Sequence, residues 1–179
     1  MKVTLALLVV VVFGTVVAAQ EDTPPPPLKV LTYNVRYASD RPPNAWADRR
    51  PVAKAMLDEL KVDLIGMQEA KLRQVKDFET DLPGFEWVGT GRDGGDKGEF
   101  MAVFYRTSRL KALEHGHYWL SETPEKVASS SWDSACNRMV TWVRFEDLSS
   151  NQEFYLVNTH LDHRSQHCLL YTSPSPRDS

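Results

Sequence analysis

Six polar side chains stand at the ends of apolar segments in this sequence, and together they could hydrolyse a phosphate ester. A carboxylate and an amide offer the oxygen ligands that a hard cation prefers, arginines donate to phosphoryl oxygens, and a histidine can carry a proton. A metal bound there would stabilise the charge that develops during attack at phosphorus. The six residues are Asn34, Glu69, Arg92, Glu99, Arg138 and His160.

The first three elements place Asn34 and Glu69 at the same edge of a sheet. Residues 28–35 form an apolar run typical of a strand, and residues 62–67 form a second one. Between them, residues 48–60 have apolar positions at helical spacing. Two strands joined by a helical crossover run parallel, so their carboxyl ends share one edge.

The rest of the pattern predicts one more helix and then strands that alternate in direction. Short loops and turns join these strands, so a descending strand begins beside the end of a rising one. By this reasoning all six polar residues lie at one edge of the sheets. The predicted helix is residues 72–81, the rising strands are 85–91, 109–118 and 152–160, and the descending strands are 99–106 and 137–147.

The composition indicates a single globular domain. Of 179 residues, 42% are apolar and 25% are charged, which excludes a disordered, collagen-like or multi-span membrane protein. The net charge of −3 argues against binding of nucleic acid by bulk charge. An anionic substrate would therefore need a local site or a metal.

The amino-terminal segment is expected to direct secretion. Residues 1–19 have a lone Lys2, an apolar stretch and then small residues, which is the order found in a signal peptide cleaved after Ala19. The mature protein would be extracellular or periplasmic, without a transmembrane span. The alternative is an uncleaved membrane anchor, because the apolar stretch is near the lower limit for a span. Residues 20–27 form a proline-rich linker.

The carboxyl-terminal segment, residues 168–179, is expected to be foreign to the protein. It resembles the translation of a sequencing adapter and shows neither a helical nor a strand period, although a native tail is the alternative. The native domain would then comprise residues 28–167, and the gene would continue beyond them. Cys136 would be the only native cysteine, so we predict no intrachain disulfide.

Four ordered motifs resemble the endonuclease/exonuclease/phosphatase superfamily, and the resemblance covers nearly all of residues 28–165. A further set of residues resembles the secreted or membrane-associated bacterial-type branch of metal-dependent hydrolases: Trp-Leu-Ser-Glu-Thr-Pro at 119–124, Trp132, and Thr-Trp at 141–142. The four family motifs are Leu-Thr-Tyr-Asn-Val-Arg at 31–36, Gly-Met-Gln-Glu-Ala at 66–70, Gly-Glu-Phe at 98–100 with Phe-Tyr-Arg at 104–106, and Asn-Thr-His-Leu-Asp-His at 158–163.

The resemblance implies a fold and a metal. The fold would be the amino-terminal portion of a four-layer α/β sandwich with two central mixed sheets, as in deoxyribonuclease. Glu69 matches the glutamate that binds Mg²⁺, with Mn²⁺ as the alternative cofactor. Asn34 matches the active-site asparagine, close to both metal and phosphate.

The resemblance also implies catalytic roles for residues outside the metal site. Glu99 and His160 match a hydrogen-bonded catalytic pair, and Arg138 is a weaker match to a phosphate contact. Arg92 is the second arginine that we predict to bind substrate. In this family an activated water attacks phosphorus.

Two motifs from the second half of the family's domain, Gly-Asp-x-Asn and a terminal Ser-Asp-His, are absent from this sequence. The resemblance implies that they bind metal, position the nucleophile and supply another catalytic histidine. We therefore expect the full-length protein to be a Mg²⁺-dependent phosphoric ester hydrolase and the 179-residue chain to be essentially inactive. The alternative is a non-catalytic secreted binding module on the same fold. The substrate could be a nucleic acid, a phospholipid or a sugar phosphate, and no protein partner is predicted.

Each candidate also has an ordinary structural explanation. Glu69 could be a solvated carboxylate at a strand end. Asn34 could cap a turn, and Glu99 could solubilise the turn that precedes it. The catalytic prediction for Glu99 depends on its pairing with His160.

Overall fold

The computed structural model describes residues 24–172, which form two β-sheets and three helices. Long loops follow β1, β3 and β5, at residues 35–45, 89–102 and 120–138, and the other connections are short. The elements are β1 (Val30–Asn34), α1 (Trp46–Leu60), β2 (Leu64–Gln68), α2 (Leu72–Asp81), β3 (Phe85–Val88), β4 (Val103–Arg106), β5 (Leu110–Trp119), β6 (Met139–Asp147), β7 (Gln152–Thr159) and α3 (Gln166–Thr172).

The first sheet is mixed and has the strand order β1-β2-β4-β3. β1 and β2 are parallel, consistent with the helix that joins them, and Asn34 pairs with Gln68 at their carboxyl ends. β4 runs antiparallel to both of its neighbours. β3 therefore points in the same direction as β1 and β2, which confirms the predicted strand directions in this sheet.

Helices α1 and α2 cover one face of the first sheet. Alternate residues of β2, such as Ile65 and Met67, are fully buried beneath these helices. Phe78 of α2 packs between Trp46 of α1 and Phe104 of β4, with ring centroids 5.5 Å and 6.3 Å away. This aromatic cluster fixes the helices against the strands that end at the predicted site.

The second sheet is antiparallel throughout its described strands, in the order β5-β6-β7. β6 and β7 alternate in burial along most of their length, as expected when one face packs on a core and the other does not. Val143 and Phe145 of β6 are fully buried, whereas Tyr155 and Val157 of β7 lie on the opposite, exposed face.

The buried faces of the two sheets pack against each other. Leu64 of β2 and Val103 and Tyr105 of β4 share a core cluster with Val143 and Phe145. The rings of Tyr105 and Phe145 meet edge to face at 5.0 Å. The order of layers is therefore helices, first sheet, second sheet, which confirms the α/β sandwich class.

Several element boundaries differ from the predicted ones by one to four residues, and two of these differences lie in elements next to the site. α1 begins at Trp46 rather than at residue 48. β4 begins at Val103 rather than at residue 99, because Phe100 instead forms isolated bridges with Ala70 and Gly91. Those bridges bring the segment that carries Glu99 close to the end of β2.

The two ends of the chain are described only in part. The predicted signal segment at residues 1–19 lies outside the described residues, as do residues 20–23 of the predicted linker and residues 173–179. Helix α3 occupies residues 166–172, where the sequence predicts no helix. Within residues 24–172, no helix is both long and apolar enough to cross a membrane.

Candidate active site

Glu69 and Asn34 meet at the carboxyl ends of the two parallel strands. Asn34 Nδ2 donates a hydrogen bond of 2.8 Å to Glu69 Oε1, and the backbone nitrogen of Tyr37 donates one of 3.3 Å to Oε2. Glu69 has a φ of 62°, a left-handed conformation that costs a non-glycine residue about 1–2 kcal/mol. The packed strand β2 holds Glu69 in this conformation, which turns its carboxylate towards Asn34.

The charge on Glu69 is maintained by its neighbours. Burial raises the pKa of its carboxyl, but the hydrogen bonds from Asn34 and Tyr37, together with the electrostatic effects of His160 and Arg138, lower it by more, so the pKa lies below its usual value. Glu69 is therefore ionised at neutral pH. The backbone nitrogen of Arg36 donates a hydrogen bond to Asn34 Oδ1, which fixes the amide group that in turn orients Glu69. A direct contact between Asn34 and a metal stays a prediction.

Arg92 and Glu99 form an ion pair across the base of a glycine-rich loop. Arg92 Nη1 donates to Glu99 Oε2 at 2.7 Å, and both side chains are largely buried. The hydrogen bond predicted between Glu99 and His160 is not formed. The physical reason is that the charged guanidinium of Arg92 binds a carboxylate more strongly than a neutral imidazole can.

His160 follows β7 and faces Glu69 from the second sheet. Its Nε2 lies 4.0 Å from Glu69 Oε1. Burial lowers the pKa of His160, and the charge of Arg138 lowers it further, against the opposite effects of Glu69 and Glu99. His160 is therefore a neutral imidazole at pH 7, available to accept or relay a proton.

Two buried polar atoms at the site lack hydrogen-bond partners. Among the buried side-chain nitrogen and oxygen atoms of residues 24–172, these two are His160 Nδ1 and Arg92 Nε. Buried polar groups are normally satisfied, so an unpaired one calls for an explanation. Both belong to residues that line the same cavity, which is consistent with a polar ligand there.

Arg138 is held by Asp162, a residue that the sequence reasoning did not select. Its side chain is 3% exposed, and its Nε donates to Asp162 Oδ2 at 3.3 Å. Asp162 also accepts hydrogen bonds from the backbone nitrogens of Ala135, Arg164 and Ser165. Despite its burial, these bonds and the one from Arg138 keep the pKa of Asp162 well below its usual range. The anion thus fixes both the loop before β6 and the loop after β7.

Asn158 joins the two sheets directly beneath the site. It accepts a hydrogen bond of 2.8 Å from Gln68 Nε2 and donates to the carbonyl oxygens of Met67 and Ala102. Gly66 allows this approach, because a Cβ at that position would lie 3.0 Å from Asn158 Oδ1. An inward-facing asparagine opposite a strand glycine is a sequence signal that could have revealed this link.

One cavity of about 380 Å³ collects the candidate residues. Of the six predicted residues, Asn34 alone does not line it, and Asn34 hydrogen-bonds Glu69, which does. The predicted convergence of these residues at one edge is therefore confirmed, while their chemical roles stay predictions. The lining residues are Tyr37, Glu69, Arg92, Glu99, Cys136, Arg138, His160 and His163.

Glu69 is the residue best suited to hold a metal. Within residues 24–172, His, Cys, Asp and Glu side chains form no cluster of three or more that could do so alone. Magnesium does not need such a cluster, because it commonly binds one or two carboxylates and completes its shell with water and substrate phosphate. An ionised carboxylate beside two arginines and an open cavity fits that mode of binding.

Comparison with known proteins gives matches among solved structures. No protein-family model and no curated protein matches the chain. A crystal structure of an endonuclease/exonuclease/phosphatase family protein from Bacteroides thetaiotaomicron is 38% identical, with a TM-score of 0.80, over 84% of this chain and 56% of that protein. A mannosyl-6-phosphatase from the same species is 39% identical, with a TM-score of 0.78, over 82% of this chain and 56% of that protein.

A third similar structure extends the match to another species. The endonuclease/exonuclease/phosphatase from Bacteroides vulgatus is 31% identical, with a TM-score of 0.74, over 79% of this chain and 54% of that protein. The chain thus spans somewhat more than half the length of these proteins. Fold and sequence identity both point to one family, and the four motifs converge at one cavity. The chain therefore belongs to the endonuclease/exonuclease/phosphatase superfamily.

Proposed function

We propose that the protein is a metal-dependent phosphoesterase and that the cavity around Glu69 is part of its active site. The observation that carries this proposal is the meeting of an ionised carboxylate, two arginines and a neutral histidine in one cavity. The carboxylate suits a hard cation, the arginines suit phosphoryl oxygens, and the histidine suits proton transfer. Few other reactions need all four groups together.

Each residue has a specific part in this proposal. Glu69 would hold Mg²⁺, with Mn²⁺ as the alternative, and Asn34 keeps the carboxylate ionised and oriented. When bound, the cation would neutralise charge on the phosphoryl group and lower the pKa of a water molecule. Arg138 and Arg92 would bind phosphoryl oxygens. His160 would exchange a proton with water or substrate in the cavity that it lines.

The substrate class that we propose is a phosphate ester, with a sugar phosphomonoester as the first candidate. The support comes from the similarity to the mannosyl-6-phosphatase, which is 39% identical over most of this chain. The net charge of −3 gives no support to binding of a long nucleic acid. Secretion, proposed from residues 1–19, would place the reaction outside the cytoplasm.

The proposal concerns the whole protein. The sequence lacks the Gly-Asp-x-Asn and Ser-Asp-His motifs, so for the 179-residue chain we propose binding of metal and phosphate with little turnover. Calorimetric titration of the chain with Mg²⁺ and with inorganic phosphate measures the binding. Release of phosphate from mannose 6-phosphate and from bis(p-nitrophenyl) phosphate measures turnover by the whole protein and separates monoesters from diesters.

The informative variants are Glu69→Gln and His160→Ala. In the whole protein, Glu69→Gln should lower kcat/KM by about 10³-fold, because a metal supplies several kcal/mol of charge stabilisation. His160→Ala should lower it by about 10²–10⁴-fold through loss of proton transfer. Glu114→Gln is the matched control, since Glu114 pairs with Arg144 away from the cavity. Metal-dependent turnover that survives both site variants would refute this site, and phosphate binding without any turnover by the whole protein would favour the binding module.

A further inference from the structure

Three charged or polar side chains, each in contact with the next, lead from the protein interior into the cavity. The carboxylate of Asp162 is fully buried and bonded to Arg138, whose Nη2 lies 3.1 Å from Nδ1 of His163. His163 is exposed and lines the cavity beside Arg138 and His160. Of these three groups, the sequence reasoning selected only Arg138 for the site.

The contact between Arg138 and His163 determines which nitrogen of the histidine carries the proton. A guanidinium has only N–H donors and no acceptor. Nδ1 of His163 must therefore accept the hydrogen bond from Nη2, and the ring proton resides on Nε2. Arg138 cannot turn away easily, because its side chain is nearly fully buried and its Nε is bonded to Asp162.

We infer that His163 is a substrate-binding residue that donates its Nε2–H to a phosphoryl oxygen, and that Asp162 positions it through Arg138. This inference rests on the proposed phosphoesterase function and adds a third donor beside the two arginines. A neutral donor provides direction without further positive charge, in a cavity that already contains Arg92 and Arg138. Asp162 is a positioning residue, since it is buried and acts only through Arg138 and the loop backbones.

Two near-isosteric substitutions of His163 separate its two nitrogens. In His163→Asn the amide oxygen can replace Nδ1 as the acceptor for Arg138, but the donor at the Nε2 position is lost. In His163→Gln the amide nitrogen can reach the Nε2 position and donate. We expect His163→Asn to weaken binding of inorganic phosphate to the chain by about tenfold, the loss typical of one hydrogen bond to a charged group. His163→Gln should stay within about twofold of the unsubstituted chain on the same basis.

A spectroscopic measurement tests the proton position independently of binding. Long-range ¹H–¹⁵N correlation spectra of the chain should show His163 with Nε2 protonated and Nδ1 unprotonated. Asp162→Asn removes the anion that anchors Arg138, so it should shift the ¹⁵N resonances of His163 as well as weaken phosphate binding. His117, whose Nδ1 contacts Thr141 outside the cavity, should be unaffected and serves as the internal control.

The outcomes distinguish this inference from the proposed function. If the unsubstituted chain binds phosphate but His163→Asn and His163→Gln bind it equally well, His163 does not contact the ligand, and the phosphoesterase proposal stands. A spectrum with the proton on Nδ1 overturns the inference in the same way. If the unsubstituted chain binds no phosphate, the inference fails together with the proposed phosphate binding by the chain, while turnover by the whole protein tests the phosphoesterase proposal separately.

Discussion

The two sheets support opposite sides of one site, and they are built differently. The first sheet presents Glu69 and Asn34, and its central strands β2 and β4 are buried on both faces, between the helices and the second sheet. The second sheet presents Arg138 and His160 and is buried on one face, while Tyr155 and Val157 on its other face are 62% and 58% exposed. The Glu69 side of the site therefore rests on the more deeply packed layer, and the side with Arg138 and His160 rests on a layer with an exposed face.

This difference shows where the geometry of the site can be disturbed. The separation of 4.0 Å between His160 and Glu69 spans the two layers, so it depends on how they are joined. The joint consists of the apolar cluster around Leu64 and Phe145 and of the hydrogen bonds of Asn158. Substitutions within one layer should change stability, whereas substitutions at the joint should also change the alignment of the two sides.

The largest difference in stability is expected between equivalent aromatic truncations in the two sheets. Phe104→Ala empties a fully buried position between Phe78 and Trp87 and should lower the free energy of unfolding by about 3–5 kcal/mol. Tyr155→Ala on the exposed face of the second sheet should cost less than about 1 kcal/mol. Urea denaturation followed by tryptophan fluorescence measures both. Equal losses would mean that the exposed face is covered in solution.

The next largest effect is expected at the joint between the sheets. Asn158→Ala removes three buried hydrogen bonds, one accepted from Gln68 Nε2 and two donated to the carbonyl oxygens of Met67 and Ala102, and should cost about 2–3 kcal/mol. Gln152→Ala, at the exposed start of the same strand, is the control and should cost less than about 0.5 kcal/mol.

The Asn158 variant also tests whether the joint aligns the site. Phosphate binding should weaken in Asn158→Ala even under conditions where the variant is fully folded, because Gln68 precedes Glu69 and Asn158 lies two residues before His160. Unchanged affinity in the folded variant would show that the apolar cluster alone sets the alignment. The same titration with inorganic phosphate that measures the unsubstituted chain provides the comparison.

The sequence predicted the layers and the edge where the site lies, because both depend on periodicity and direction. The apolar runs at residues 28–35 and 62–67, with a helix between them, predicted parallel strands with Asn34 and Glu69 at one edge, as the pairing of β1 with β2 shows. The alternating directions of the later strands then placed His160 at the same edge. The family motifs added the expected identity of each group.

The partners within the site could not be predicted in this way, because they result from competition among side chains in three dimensions. Glu99 pairs with Arg92 because the bridges of Phe100 fold the loop back on itself. Asp162 is bound by backbone nitrogens of a turn that has no periodic signal. The orientation of His163 depends in turn on Arg138, which Asp162 holds.

An effect of about 2 kcal/mol is expected at the end of the second sheet opposite to the site. Arg109 forms two hydrogen bonds of 2.8 Å with Asp147, and these bonds are the main reason that the pKa of Asp147 lies well below its usual range. Asp147→Asn should lower the free energy of unfolding by about 2 kcal/mol at pH 7. Circular dichroism during urea denaturation at several pH values measures the difference.

The pH dependence of that difference has a definite sign. Because the pKa of Asp147 is lower in the folded state, the carboxylate stabilises the fold above its unfolded pKa of about 3.9. This contribution is lost as the pH falls through the folded-state pKa. The unsubstituted chain and Asp147→Asn should therefore converge in stability below about pH 4, and a constant difference down to acid pH would contradict the assignment.

The smallest effect is expected from one conservative substitution made on the two faces of the second sheet. Val157→Thr changes a 58% exposed position to another good strand former and should alter the free energy of unfolding by less than about 0.5 kcal/mol. Val143→Thr, on the neighbouring strand but fully buried against the first sheet, introduces a hydroxyl into an apolar cluster and should cost about 1–3 kcal/mol. Thermal unfolding of both variants measures this difference between the two faces. A cost at Val157 as large as the cost at Val143 would mean that another surface buries the outer face in solution, and a dependence of that cost on protein concentration would identify the other surface as a second copy of the chain.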